Sequence, residues 1–434
     1  MTQTAPAQTA PTQTAMARAS TAPDCCREYA TLSRRGLLVG AAALAGTSTM
    51  IGSAVVRASA ATTLPARAVM VVLSLRGAAD GMSLVVPHGD PVYYSARPRL
   101  AIPADRLLAR DAMFGLHPAL APLLPLWSSG RLAAVHATGL PAPNRSHFAA
   151  MEEVEDADPG SNVRSGWLNR LIGQDQRTSP LQAFGVGRGV PPASLYGPAD
   201  YVSAGDVASM TIPGDDKWDP ERRRVRSLHR LWDGDATAMG RAMRATFRAV
   251  DEFKPALGTR KTPANGATYP SSDLGRAMAE VARIVRGDVG VEVLTVDQGD
   301  WDHHSGLGTV DGGRMVRNAG ELAAAVAAFF TDLGPLSDKV TLVALSEFGR
   351  RVVENANSGL DHGYGNVMLL AGAGVAGGYH GRWPGLTAQL DSDLLVTTDY
   401  RSVLSEVVDC RFGASPAAVF PGFQPEPVGV MRRS

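Results

Sequence analysis

The stretch Gln298-Gly299-Asp300-Trp301-Asp302-His303-His304 places four titratable side chains within five positions, directly after the apolar run VEVLTVD. On extended or turning backbone the Asp302-x-His304 spacing points both side chains the same way, which suits two ligands of one hard-to-borderline cation. A second mouth of this kind lies between VTLVAL and VMLLAGAG. The first run stops at Ser346-Glu347-Phe348-Gly349-Arg350, and Asp361-His362-Gly363-Tyr364-Gly365-Asn366 leads into the second. Acid and imidazole groups between two strands are what an α/β enzyme puts at the carboxyl ends of its sheet. The plainer reading of each stretch is a solvated loop with ordinary charges.

Two other positions could join such a centre. Asp80-Gly81 follows the run VMVVLSL; it reads equally as a turn pair or as a carboxylate holding a metal at the sheet edge. Ser146 stands ahead of an Ala/Met/Glu run with good helix propensity. As structure it is an N-cap without the Glu of a capping box, since its i+3 residue is Ala149. As chemistry, backbone N–H groups and the positive end of a helix favour an alkoxide or a bound phosphate there, and Arg145 adds a guanidinium.

The elements that must position these residues alternate. VMVVLSL is near-continuously apolar, as in a buried parallel strand. RLAAVHAT, LQAFGVG, VEVLTVD, VTLVAL and VMLLAGAG read as further strands. ERRRVRSLHRLW, TAMGRAMRATFRAVDEFK, SSDLGRAMAEVARIVRG, RMVRNAGELAAAVAAFFTDLG and TTDYRSVLSEVVDCRFG read as covering helices, the last capped by Thr398 or Asp399. The alternation predicts an α/β fold, a doubly wound, mostly parallel sheet flanked by helices, in one domain over 61–434.

Residues 1–60 read differently. A Thr/Ala/Pro/Gln tract is expected to be disordered. It precedes Ser33-Arg34-Arg35-Gly36-Leu37-Leu38, a weakly apolar run to Val56, and the small-x-small sequence Ala58-Ser59-Ala60. That is the layout of a twin-arginine export signal, with an uncleaved anchor as the alternative. The expected location is therefore the periplasm, the cell envelope or the medium, with the export machinery as a partner and no lasting membrane span. Without Cys25 and Cys26 of the leader only Cys410 remains, so no internal disulfide is expected, as suits a protein that folds before export. Setting aside the five Arg and two acids of the first 60 residues leaves 37 basic against 40 acidic residues. No basic footprint for nucleic acid is present. Gly372-x-Gly374-x-x-Gly377 follows a strand but runs into Tyr379-His380-Gly381-Arg382-Trp383-Pro384 rather than a helix, so it lacks the context of a dinucleotide fingerprint.

LRGAADGMSLVVPHGDPVYYSARPRLAIP, FGLHPALAPLLPLW, NRSHF, GDWDHH, SEFGRR, DHGYGNVMLLAGAGV and GRWPGL occur in this order behind the twin-arginine leader. Together they resemble the bacterial exported family catalogued as domain of unknown function 1501, over nearly all of residues 68–413. That family is grouped by fold with the alkaline phosphatase, sulfatase and phosphoglycerate mutase superfamily. The resemblance implies an alkaline-phosphatase-like sheet with a one-metal or two-metal hydrolytic site. On it, Asp80 corresponds to a first-strand metal ligand, Ser146 to the nucleophile, Asp302 and His304 to a ligand pair, and His362 to the last metal-binding histidine. Glu347 occupies the strand end where the superfamily has Asp-His, with Phe348 in place of the histidine. That departure points to one well-held ion and a weaker second site.

Three functions are compatible with these residues. The first is an exported, metal-dependent hydrolase of small-molecule or polymeric phosphate or sulfate esters, using Zn, Mn, Mg or Ca. In it Ser146 attacks; Asp302, His304 and His362 hold one ion, Asp80 and Glu347 with Ser146 the second, and Arg145 or Arg350 binds the non-bridging oxygens. The second is a non-catalytic envelope protein that keeps the fold for binding or assembly. The third is a metal-free serine hydrolase pairing Ser146 with a histidine such as His147 or His304.

Overall fold

The computed structural model describes residues 48–51, 54–57, 64–174, 179–187, 189–212 and 219–432, all within the compact unit Ala43–Ser434. Its main sheet contains β1 (Ser48–Ile51), β2 (Ala54–Arg57), β3 (Val69–Leu75), β6 (Leu132–Gly139), β7 (Ala183–Val186) and β8 (Tyr201–Ala204). It continues with β9 (Val293–Gln298), β10 (Val340–Leu345), β11 (Asn366–Gly372), β12 (Gly378–His380) and β13 (Thr398–Asp399). A separate two-stranded sheet pairs β4 (Val85–Val86) with β5 (Gly115–Leu116). The strand order is β1-β2-β8-β7-β9-β3-β10-β11-β6-β12, with β13 also on β6.

The centre, β8-β7-β9-β3-β10, is parallel throughout. β11 runs antiparallel to both β10 and β6. This direction matters for the site. β3, β9 and β10 end at one edge, β11 begins there, and β6, antiparallel to β11, ends there too. Every stretch singled out for its chemistry therefore leaves or enters the sheet at the same edge, where ligands bind in open α/β sheets.

Alternate residues of β3 face opposite layers, as the two-residue period of a strand requires. Val69, Val71, Leu73 and Leu75 join a core with helices Asp273–Gly287 and Arg314–Leu333, through Met278, Val281, Leu322 and Phe329. Met70 and Val72 join the other, with helices Trp167–Ile172 and Tyr400–Val407, through Trp167, Leu168, Val403 and Leu404. Burying each such side chain is worth about 1.5–3 kcal/mol, so both faces of the sheet must stay covered. Arg314–Lys339 has the length and hydropathy of a membrane span, but here Met315, Ala319, Leu322, Val326, Phe329 and Leu333 are buried in that core.

The doubly wound, mostly parallel reading agrees with this architecture, and the helices Asp273–Gly287 and Tyr400–Val407 start at Ser272 and Asp399 caps whose side chains accept from Gly275 and Arg401 N–H. β8 and β12 have no counterpart among the expected strands. β1 and β2 lie within the stretch 1–60 read as leader, yet they extend the sheet past β8, with Ala54 and Val56 fully buried. The paired arginines and the Ala58-Ser59-Ala60 sequence lie outside the described residues.

Candidate metal centre

Three connections and one helix start deliver the site. After β9 the chain passes through Asp300 to Asp302 and His304, packed against the turn that follows β3. The approach is so close that a Cβ on Gly77, at φ +110°, would lie 2.6 Å from Asp302 N. Between β10 and β11, Arg350 and His362 form an isolated antiparallel bridge that brings His362 back over the edge. A Cβ on Gly359 would sit 2.2 Å from the His304 carbonyl carbon, so this loop and the His304 loop meet backbone to backbone. After β6 the chain reaches Ser146, the N-cap of helix His147–Asp156, and His147 opens that helix with its imidazole buried.

Four donor atoms lie near one another, and those of His147, Asp302 and His362 all fall within 4.8 Å of one another. His362 Nε2 lies 3.0 Å from His147 Nε2 and 3.0 Å from His304 Nε2. Asp302 Oδ1 lies 3.1 Å from His304 Nε2, 3.4 Å from His362 Nε2 and 3.7 Å from His147 Nε2. A tetrahedral ion with bonds of about 2.0–2.1 Å needs its donors about 3.3–3.4 Å apart, and the separations among His147, Asp302 and His362, 3.0–3.7 Å, bracket that value. Each imidazole is held from behind through Nδ1. His147 meets Glu347 Oε1 at 2.8 Å, His304 meets Asp361 Oδ1 at 3.2 Å, and His362 meets the Arg145 carbonyl at 3.0 Å. A carbonyl or an ionised carboxylate only accepts, so these partners assign the proton of each neutral ring to Nδ1 and leave Nε2 as a lone pair aimed at the common point. Metal-bound histidines are oriented in this manner.

The electrostatics agree. Burial alone would raise the Asp302 pKa, but its contacts with the His147, His304 and His362 imidazoles and the Arg350 guanidinium outweigh it and hold the carboxyl far below its usual range. Burial also opposes charge on His147, yet the Asp302 and Glu347 carboxylates raise it to about 9. Burial lowers His362, and Arg350 and the neighbouring imidazoles add to this against the pull of Asp302. A proton on His147 bridges only one of the two 3.0 Å nitrogen pairs. A cation at the shared focus satisfies both pairs and Asp302 at once, so the donor set fits a divalent metal.

Asp302, His304 and His362 are thus brought together as expected, and His147 joins them. Sequence reasoning gives His147 only as the base of a metal-free serine site. Its signal was the NRSHF stretch itself, since the first residue of a helix projects beside whatever its cap faces. Glu347 is in the site but not among its ligand atoms. Its Oε1 accepts from Gly77 N at 2.9 Å as well as from His147, and its Oε2 accepts from Ser346 Oγ at 3.0 Å, so it orients His147. Asp361 orients His304. Phe348 packs on the His147 and His362 rings, each with centroids 5.0 Å away, and forms an apolar wall.

The remaining candidates lie elsewhere. Both oxygens of Asp80 are taken by Arg97, at 2.6 and 3.0 Å, in a fully buried pair whose guanidinium also donates to Ser83 Oγ and the Arg351 and Val352 carbonyls. Asp80 is thus placed in an ion pair with Arg97 rather than among the clustered donors. Arg350 lies beneath the site rather than facing it. It is 1% exposed and donates to the Gly77, Ala78, Leu360 and Trp301 carbonyls and, at 2.6 Å, to Asp302 Oδ1. Arg145 contributes its carbonyl, while its exposed guanidinium pairs with Asp393. Ser146 is exposed beside His147, and its side chain makes no capping bond.

The profile of a family described as a protein of unknown function (DUF1501) matches residues 122–408. No curated protein matches the chain. Solved structures that align with it include the zinc complex of the C-terminal periplasmic domain of EcEptC from Escherichia coli, at 9% identity and a TM-score of 0.31, over 75% of this chain and 77% of that one. A protein in the alkaline phosphatase superfamily from Vibrio parahaemolyticus aligns at 12% identity and 0.33, over 81% and 72%. The lipoteichoic acid synthase LtaP from Listeria monocytogenes aligns at 9% and 0.30, over 73% and 69%. Likeness at that level carries no argument, and the chemistry rests on this chain's own residues.

Proposed function

We propose that this chain, which belongs to the DUF1501 family, is an exported metal-dependent hydrolase whose single ion is held by His147, Asp302, His304 and His362. The observation that carries this reading is the convergence of three Nε2 lone pairs and one carboxylate oxygen, each imidazole anchored through Nδ1. A bound divalent ion supplies Lewis-acid charge to a substrate oxygen. Around it, Glu347, Asp361 and the Arg145 carbonyl fix the rings, Arg350 fixes Asp302, and Phe348 excludes water from one side. The side chains of Asp302, His304 and His362 are 18%, 20% and 14% exposed, so a substrate reaches the ligands from solvent on that side.

Ser146 is the nucleophile in this reading, and the substrates are phosphate or sulfate esters. Its hydroxyl is exposed, is not engaged in capping, and adjoins a ligand at the start of a ten-residue helix, whose amino end favours an anionic group. The paired arginines at 34–35 and the scarcity of cysteine support export.

One observation favours a second reading. Four protein donors can complete a tetrahedron, which is the pattern of closed, structural sites, as a non-catalytic envelope protein would retain. Metal analysis of purified protein, paired with a panel of phosphate and sulfate esters on wild type, Ser146→Ala and His304→Ala, separates the two. The hydrolase reading expects one ion per chain and turnover lost in both variants. An ion without turnover of any ester selects the structural reading. Turnover preserved in Ser146→Ala would remove the serine from the mechanism.

A further inference from the structure

The arginines that adjoin the donors or their supports are already committed to carboxylates. Arg145 lies one residue from Ser146, and its carbonyl holds the His362 ring. Its guanidinium, the cation nearest in sequence to that serine, pairs with Asp393. The pattern recurs around it. Arg351 pairs with Asp391, Arg350 with Asp302, Arg314 with Asp300, and Arg76 with Asp297 and Glu155. Two further carboxylates, Glu347 and Asp361, stand behind the His147 and His304 rings.

The Arg145–Asp393 pair is held in place from both sides. Residues 391–393 run beside the loop that carries Arg350 and His362. Asp393 forms an isolated antiparallel bridge with Arg351, and Val352 N donates to the Ser392 carbonyl at 3.0 Å. The Asp393 side chain is 13% exposed and its Oδ1 is buried without a partner. Among the described residues, Arg145 is the one hydrogen-bond partner of this carboxylate. Moving Arg145 onto a ligand would strand a largely buried negative charge, which is costly.

We infer, resting on the hydrolase reading above, that Asp393 sets the charge of the ester this site accepts. By holding the Arg145 guanidinium it withholds the cation that a dianion needs. The site then selects singly charged tetrahedral esters, sulfate monoesters or phosphodiesters, over dianionic phosphate monoesters. Stabilising a transferring phosphoryl group takes arginine, lysine or metal clamps aimed at its oxygens. Here the arginines are committed, and a ligand's second negative charge meets the carboxylates instead. Specificity is built from such repulsive contacts as well as attractive ones. Asp393 acts through Arg145 and is a positioning residue.

Steady-state kinetics of the full chain with its ion bound test this at about pH 8, where a phosphate monoester is a dianion. The substrates are p-nitrophenyl sulfate, bis(p-nitrophenyl) phosphate and p-nitrophenyl phosphate. One of the first two should exceed the third in kcat/KM by about ten-fold, and which one does so separates sulfate esters from diesters. Asp393→Asn frees Arg145 and should raise kcat/KM for p-nitrophenyl phosphate about ten-fold, and the others by less than about three-fold. Adding Arg145→Gln should remove the gain, a reversal that a merely structural role of Asp393 would not give. Isothermal titration with tungstate and perrhenate, tetrahedral oxyanions of two charges and one, makes the comparison without turnover. Asp393→Asn should tighten tungstate about ten-fold and perrhenate far less. A wild type that prefers the phosphate monoester overturns the inference while keeping the hydrolase reading. An Asp393→Asn protein with unchanged charge preference overturns it too. No turnover of any ester, together with the tungstate shift, removes the hydrolase reading and upholds the charge selection. If Asp393→Asn does not fold, Asp393→Ser and the wild-type preference decide.

Discussion

Replacing Asp80 with asparagine isolates the question of how many ions this edge holds. Asp80 and Arg97 are 1% and 0% exposed, and the carboxylate meets the guanidinium through two bonds. The amide would keep the shape but leave the buried arginine without a counter-charge, and breaking such a pair costs about 3–5 kcal/mol. Against a typical stability of about 5–15 kcal/mol the variant still folds, with its urea midpoint well below that of wild type. Arg97 already occupies both oxygens, so the metal content of D80N should equal that of wild type, one ion per chain. Adding R97M should recover part of the lost stability, because the uncompensated charge is then gone. Urea denaturation followed by far-UV circular dichroism, alongside elemental analysis of the same preparations, measures both quantities. A D80N protein as stable as wild type, or one that loses an ion, would refute the reasoning, the second outcome by restoring Asp80 as a ligand.

Other consequences are sharper for being local. E347Q and D361N should each weaken metal affinity by about 10–100-fold in a competition assay with a chelating dye, the usual effect of removing a partner behind a metal-bound histidine. Arg97 holds the Asp80 carboxyl below its usual range, although burial alone would raise it. The stability this linkage supplies is therefore present above the unfolded carboxylate value of about 3.9 and is lost as pH falls below it toward the folded value. Acid titration of wild type against D80N should show a steeper stability loss in wild type below about pH 4. G77A places a methyl 2.6 Å from Asp302 N at φ +110° and should cost at least about 1 kcal/mol while lowering metal affinity; unchanged affinity would separate the β3 turn from the site.

The layers were legible because they are local. VMVVLSL and VTLVAL are apolar at every position but the serine and threonine, and helix Asp273–Gly287 has its cap and its stripe written within fifteen residues. The direction of β11 was not legible, because an apolar run is the same string read in either sense and only pairing with β10 and β6 fixes it. The site was legible in part for a related reason. Residue types reveal which groups could bind a cation, but not which atom faces which, and Arg97, the partner that removes Asp80 from candidacy, is 17 residues away with no periodicity linking them.

That pairing logic also bears on where an ion would sit. Three carboxylates cluster where β3, β9 and β10 end, and each is already matched by a cation or donor. Asp80 has Arg97 on both oxygens, and Glu347 has His147, Gly77 N and Ser346. Asp302 has Arg350, but its Oδ1 also faces three Nε2 atoms. Burying an unpaired charge is costly, so a carboxylate whose partners saturate it has nothing left for a metal. A carboxylate oxygen set beside imidazole Nε2 atoms is where a shared cation would join them. Among these three carboxylates only Asp302 has an oxygen beside imidazole Nε2 atoms, the arrangement that the proposed single ion would use.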